Sequence, residues 1–126
     1  MDATITPEAI VDTALKENLQ VISITDHNAI GNVRRAVERA KGKAILVVPG
    51  VELSTAQGHL LIYCPTHELL EGFFGKLDIT ADRKGCNNTV PQCLKLAEAF
   101  NGFGICAHID LEAGLRRTIE YLQGER

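Results

Sequence analysis

This 126-residue sequence lacks three features that often indicate the class of a protein: paired cysteines, a long apolar run and a positive net charge. Its four cysteines are scattered and form no Cys-x-x-Cys pair, which predicts free or buried thiols in a reducing cytoplasm, with neither disulfides nor a cysteine zinc site. No apolar run is long enough to span a bilayer and no signal peptide opens the chain, so we expect no membrane partner. The net charge of −3 argues against a broad surface for nucleic acid.

The sequence alternates segments that are typical of helices and of strands. The composition, 45% hydrophobic and 23% charged, is that of an ordinary globular protein, and the length suits a single domain over residues 1–126. Thr6 and Pro7 form a good helix entry. We predict helices over residues 6–18, 30–41, 66–75, 90–100 and 111–122, and strands over residues 20–25, 44–48, 59–63 and 104–108. Strand, helix and strand joined by short links predict an α/β domain with a largely parallel sheet.

Potential metal ligands gather at the ends of these predicted strands. His27 and His108 end strands, Glu52 follows a strand, and His59 begins one. Imidazole and carboxylate groups at the rim of an apolar sheet need a partner, and a shared zinc, manganese or iron ion suits this ligand set. Asp26 and Asn28 could orient the ring of His27. The alternative is that each residue is satisfied separately, as a helix cap, a core histidine or a rim carboxylate.

A polar segment over residues 78–88 is rich in turn-forming residues and predicts a loop over one end of the sheet. Arg83 and Lys84 lie in this loop and could bind an anionic substrate. The alternative is an ordinary solvated loop.

Five motifs occur in order along the chain: DATITPE (2–8), ITDHN (24–28), PGVELS (49–54), GHLL (58–61) and AH (107–108). His27 follows Asp2 by 25 residues, and Glu52 follows His27 by 25. Together these motifs and spacings resemble the polymerase and histidinol phosphatase (PHP) domain family over nearly the whole chain up to about Asp110.

The resemblance implies a fold and a chemistry. PHP domains are distorted (β/α)7 barrels that carry up to three divalent metals at the carboxyl ends of their strands, and many hydrolyse phosphoesters. By resemblance, Asp2 and His27 are ligands of one metal. Glu52 is a carboxylate that bridges two metals, and His59 with His108 completes another site. The implied reaction is metal-assisted hydrolysis with water as the nucleophile.

Two motifs of the family are missing from this sequence. The His-x-His pair of the first strand would lie upstream of Met1, and no Asp-x-His motif follows His108. By resemblance, the ligand set of Glu52, His59 and His108 is the one that keeps all its protein ligands. We therefore expect an incomplete barrel with at most one well-formed metal site, and impaired activity unless another chain completes it.

The leading hypothesis is a metal-dependent phosphoesterase acting on a phosphorylated small molecule or a nucleotide. A second is a non-catalytic PHP-like module with a structural or assembly role beside an ATPase or polymerase domain of a longer parent protein. A third is a metal-independent α/β binding module. Because the strand over residues 20–25 would lack its neighbour, its exposed edge predicts a homo-oligomer.

Overall fold

The structure is a computed structural model that describes residues 5–107. Asp2, His108 and the predicted helix over residues 111–122 lie outside the described residues. The helices are α1 (Pro7–Lys16), α2 (Gly31–Ala40), α3 (His67–Gly75) and α4 (Val90–Ala99). The strands are β1 (Val21–Ile24), β2 (Leu46–Thr55), β3 (Gly58–Tyr63) and β4 (Phe103–Ala107). No helix among residues 5–107 is long and apolar enough to cross a membrane.

Threonine side chains fix the start of three helices. Thr6, Thr66 and Thr89 each accept a hydrogen bond from the backbone N–H three residues later. This bond satisfies one of the amide groups that have no partner within the first turn of a helix. The helix entries predicted at Thr6 and Thr66 are thereby confirmed. At Thr89 the side chain of Gln92 also bonds back to the cap, which completes a capping box.

The four strands form one sheet in the order β1-β2-β3-β4. β1 and β2 pair in parallel, but β2 with β3 and β3 with β4 pair antiparallel. The sequence predicted a largely parallel sheet. Among residues 5–107, however, β1 and β2 are the only neighbouring strands that pair in parallel. The reason is the tight turn between Thr55 and Gly58, which pair with each other across the hairpin. A turn this short joins only antiparallel strands. The strands form a mixed sheet in an α/β structure, and a complete barrel stays a prediction.

One face of the sheet, which we call the helix face, is buried under helices. Alternate residues of β2 and β3 point to it, and Val51, Leu53, Leu60 and Ile62 are all fully buried. They pack in one cluster with Phe73 and with other apolar residues of α3 and α4. A second cluster joins α1 and α2 to β1 and β2 through Val11, Ala14, Ile24, Ala36, Ala40, Ile45 and Val47.

The opposite face, which we call the open face, carries exposed apolar side chains. Its members share the other side of the pleat: Val21, Ser23, Leu46, Val48, Tyr63, Phe103 and Ile105. Val21 and Leu46 are each 58% exposed, and Phe103 is 60% exposed. A shallow groove of about 330 Å³ runs along this face, beside the contact between the Tyr63 and Phe103 rings. Large exposed apolar surfaces of this kind mark sites of association.

All four cysteines are free thiols, as the sequence predicts. Cys64, Cys86 and Cys93 are buried, whereas Cys106 on β4 is exposed. Burial, reinforced by the neighbouring Cys86, raises the pKa of the Cys93 thiol to about 12. Burial also raises the pKa of Cys64. Both thiols are therefore protonated at neutral pH.

Candidate metal centre

The backbone brings His27 and Glu52 together just beyond the end of β1. The two residues face each other in a parallel bridge that extends the β1–β2 pairing. The amide of Asn28 donates to the carbonyl of Glu52 at 2.8 Å, and the amide of Glu52 donates to the carbonyl of Asp26 at 3.0 Å. Two main-chain hydrogen bonds therefore fix the register that places the side chains side by side.

The hairpin of β2 and β3 adds His59. Ser54 pairs with His59, and Glu52 lies two residues before Ser54, so Glu52 and His59 are diagonal neighbours on the open-face side of the sheet. Nδ1 of His59 and Oε2 of Glu52 lie 2.7 Å apart, which is a hydrogen bond. The carboxylate of Glu52 is therefore held by the next strand.

The three side chains converge on the Glu52 carboxylate. The same Oε2 atom is 3.7 Å from Nδ1 of His27. The rings of His27 and His59 meet edge to face with their centroids 5.6 Å apart. One ligand atom from each of the three residues lies within 4.8 Å of the others. The Glu52 side chain is 9% exposed, but those of His27 and His59 are 62% and 36% exposed, so a buried carboxylate lies between two accessible imidazoles.

The ligand set fits a divalent cation. In a tetrahedral site with bonds of ~2.1 Å, neighbouring ligand atoms lie ~3.4 Å apart. The distances of 2.7 Å and 3.7 Å from the Glu52 carboxylate lie on either side of that value. Two imidazoles and one carboxylate are ligands that zinc, manganese and iron all accept. His27, Glu52 and His59 therefore form a candidate metal centre at the rim of the sheet.

This cluster contains three of the five ligands expected from the sequence. By resemblance, His27 was expected to share a metal with Asp2, Glu52 to bridge two metals, and His59 to complete a site with His108. The structure places His27 beside Glu52 and His59. Asp2 and His108 lie outside the described residues, so their roles as ligands stay predictions.

Asp26 binds a residue other than His27 through its side chain. Its Oδ2 accepts a hydrogen bond from Nδ2 of Asn32 at 2.8 Å, and Asn32 lies in the first turn of α2. The carboxylate therefore ties the end of β1 to the following helix. The predicted orienting role of Asp26 toward the His27 ring stays a prediction.

Arg83 and Lys84 lie at the tip of a small turn and are exposed. The turn is closed by a bridge between Ile79 and Cys86. Asp82 stabilises it by accepting hydrogen bonds from the Thr80 hydroxyl and the Lys84 amide, and these bonds lower the pKa of the Asp82 carboxyl. The predicted substrate contact of Arg83 and Lys84 stays a prediction.

The role of Asn28 was missed in the sequence, where it was considered only as a partner of the His27 ring. Asn28 is 1% exposed and has a left-handed backbone with φ of 52°. Its side chain accepts from the amide of Ser54 and donates to the carbonyl of Arg83. Asparagine tolerates this backbone conformation, which is a weak signal in sequence. The two partners come from distant segments, which no local pattern reveals.

Comparison with known proteins identifies the family of this chain and two similar proteins. The family model described as PHP domain matches residues 1–118. The 5'-3' exoribonuclease Rnm of Escherichia coli (strain K12) is 40% identical over 57 residues, which are 43% of this chain and 19% of that protein. A solved structure from Bifidobacterium adolescentis, described as a metal-dependent phosphoesterase, is 18% identical with a TM-score of 0.47. It matches over 79% of this chain and 46% of its own length.

The matched regions cover less than half of either relative. The family match nevertheless runs over most of this chain and includes all three residues of the candidate metal centre. The chain belongs to the PHP domain family.

Proposed function

We propose that this chain carries a metal centre of a PHP-type phosphoesterase, which hydrolyses a phosphate ester with water as the nucleophile. The observation that carries the proposal is the cluster of His27, Glu52 and His59, with one ligand atom from each within 4.8 Å of the others. The names of the two relatives, an exoribonuclease and a metal-dependent phosphoesterase, support phosphoester chemistry.

Each residue of the centre has a distinct part in holding the cation. Glu52 would supply the negative charge from a buried position, and His59 would supply an imidazole whose Nδ1 lies 2.7 Å from the Glu52 carboxylate. His27 supplies a second imidazole from the accessible side. A divalent cation bound there would act as a Lewis acid toward the phosphoryl oxygens and activate water near neutral pH. Zinc, manganese and iron all suit the ligands.

Water is the favoured nucleophile because the buried thiols are poor ones. Cys64 and Cys93 are buried with raised pKa values, so neither forms a thiolate at neutral pH. The proposed substrate is a phosphorylated small molecule or a nucleotide. Arg83 and Lys84 are the cationic residues that we propose to contact its phosphate.

A second candidate function is supported by the open face. Val21, Leu46, Phe103 and Ile105 are more than half exposed on one uncharged surface, which favours association. We propose that a second copy of the chain covers this face, because an uncharged apolar surface is complementary to itself in a twofold dimer. A structural or assembly module of a longer ATPase- or polymerase-linked protein would use such a surface. This role is compatible with a chain that has a single metal site and is therefore impaired as an enzyme.

An activity assay tests the first candidate. The purified chain, supplied with Mn²⁺ or Zn²⁺, is assayed against p-nitrophenyl phosphate and a nucleoside monophosphate. We expect weak hydrolysis that falls at least tenfold in Glu52→Gln, because the amide does not supply the charge that the cation needs. Glu98→Gln is the matched control, since Glu98 is exposed on α4. Equal rates in both variants would contradict the proposed metal centre.

Light scattering tests the second candidate. The wild type is expected to form a dimer at micromolar concentration, and Phe103→Ser on the open face is expected to weaken it at least tenfold. Leu19→Ser is a control, because Leu19 is 50% exposed but lies outside the four strands. A stable wild-type monomer would contradict the dimer.

A further inference from the structure

We propose that Asn28 is a positioning residue that holds the turn of Arg83 and Lys84 against the metal centre as an anion-binding arm. This inference rests on the proposed phosphoesterase function. In this proposal Asn28, which is buried and neutral, positions the two charged residues that contact the phosphate.

Asn28 joins three separate segments of the chain. It follows His27 directly, and its own amide bonds to the carbonyl of Glu52. Its Oδ1 accepts from the amide of Ser54 at 2.9 Å, and its Nδ2 donates to the carbonyl of Arg83 at 3.2 Å. Asn28 is 1% exposed, so both bonds are made by a buried side chain. Each such bond is costly to leave unmade, which makes the junction rigid.

A second anchor leads to the same place. The amide of Cys86 donates to the carbonyl of Ser54 at 2.9 Å. Ser54 therefore binds Asn28 through its amide and the turn through its carbonyl. Within the turn, the Arg83 amide donates to the carbonyl of Thr80. The end of β2 and the Asn28 side chain together hold the turn at two points, and the Asn28 bond is the one nearer to the arginine.

The charges of the arm differ from the arginines of α2. Arg34, Arg35 and Arg39 each form an ion pair with a carboxylate of another helix. Among residues 5–107, no ion pair involves Arg83 or Lys84. Guanidinium groups bind phosphate through charge-assisted hydrogen bonds. Two cations without an ion pair, on a turn hydrogen-bonded to the residue that follows His27, are therefore suited to the phosphate of a substrate.

A double-mutant cycle tests the arm, with inorganic phosphate titrated into Mn²⁺-loaded protein by calorimetry. Arg83→Ala is expected to weaken phosphate binding about tenfold, the loss expected for one hydrogen bond to a charged group. Asn28→Gly keeps the left-handed backbone without strain and changes no charge. We expect a similar loss in Asn28→Gly and no further loss in the double variant, because both act through one element. Lys95→Ala on α4 is the control for exposed charge. Losses that multiply in the double variant would overturn the proposal.

Trypsin cleavage after Arg83 and Lys84 reports on the turn itself. Faster cleavage there in Asn28→Gly, with the thermal midpoint within a few degrees of the wild type, supports the positioning role. Unchanged cleavage overturns it. Should Asn28→Gly not fold, Asn28→Asp serves instead, because it keeps the acceptor for Ser54 and lacks the donor to Arg83. If the wild-type protein binds Mn²⁺ but no phosphate, the proposal of an anion-binding arm is overturned and the proposed metal centre is not. Wild-type protein that binds no metal overturns the proposed function beneath it.

Discussion

The two faces of the sheet differ in cover and in chemistry. On the helix face, Leu53, Leu60 and Ile62 are fully buried beneath α3 and α4. On the open face, Leu46 and Phe103 are about 60% exposed although they lie on strands of the same sheet. Burial of apolar area stabilises a fold by roughly 25 cal/mol per Å². The helix face therefore supplies most of the stability.

The candidate metal centre belongs to the less stabilised face. Glu52 and His59 lie on its rim, and His27 joins them from the end of β1. A metal centre must stay accessible to a substrate, which a face packed beneath helices does not allow. The two faces therefore differ in what they contain: the helix face holds the buried residues that stabilise the strands, and the open face holds the candidate metal ligands at its rim.

The largest expected effect compares two phenylalanines. Phe73 on α3 is fully buried, and Phe103 is 60% exposed. We expect Phe73→Ala to lower the free energy of unfolding by about 3–5 kcal/mol, because it removes a packed ring and leaves a cavity. We expect Phe103→Ala to cost about 1 kcal/mol or less. Urea unfolding followed by circular dichroism measures both.

Protein concentration sharpens this comparison. If a second copy covers the open face, the cost of Phe103→Ala grows with concentration, whereas that of Phe73→Ala does not. Equal costs for the two substitutions at low concentration would show that the faces do not differ in stabilisation.

A smaller effect is expected in thiol reactivity. Cys106 is exposed, but Cys64, Cys86 and Cys93 are buried. Reaction with a disulfide reagent at pH 8 should therefore modify about one thiol rapidly and the others only as the protein opens. Cys106→Ser should abolish the fast phase. A fast phase of two or more thiols in the wild type would contradict the burial of the core cysteines.

The smallest effect is expected from the ion pairs between α1 and α2. Hydrogen bonds from Arg35 and Arg39 lower the pKa values of the Glu8 and Asp12 carboxyls below those of free carboxyls. Such pairs stabilise the fold fully above the pKa values of the unfolded chain, and the stabilisation is lost as pH falls through the lowered pKa values of the folded protein. Urea midpoints at pH 7 and pH 3 should therefore differ less in Glu8→Gln than in the wild type. An equal pH dependence in both proteins would show that the pair contributes nothing, as many exposed pairs do.

The sequence was sufficient to predict that His27 and Glu52 lie close together. His27 and Glu52 each follow a β-branched apolar run, and two parallel strands place such positions at one edge of a sheet. The starts of two helices could also be predicted, because the capping residues Thr6 and Thr66 bond to an amide only three residues away. These features depend on a few neighbouring residues, so pattern and composition reveal them.

Features that depend on contacts between distant parts of the chain could not be predicted from the sequence. The predicted strand over residues 44–48 continues through Pro49 and Gly50 to Thr55. Both residues usually interrupt strands. Gly50 is required there because a Cβ atom would lie 2.9 Å from the ring of Tyr63, which belongs to the next strand. The antiparallel course of β3 and the junction at Asn28 likewise depend on partners far along the chain.

Metal content and affinity test the central claim most directly. Wild-type protein, Glu52→Gln, His59→Ala and the control Glu98→Gln are dialysed against Mn²⁺ or Zn²⁺ and measured by elemental analysis and calorimetry. We predict about one equivalent in the wild type and in Glu98→Gln, and at least a tenfold loss of affinity in the other two, because each removes a ligand of the same ion. Metal bound equally by all four proteins, or by none, would contradict a metal centre built on Glu52 and His59.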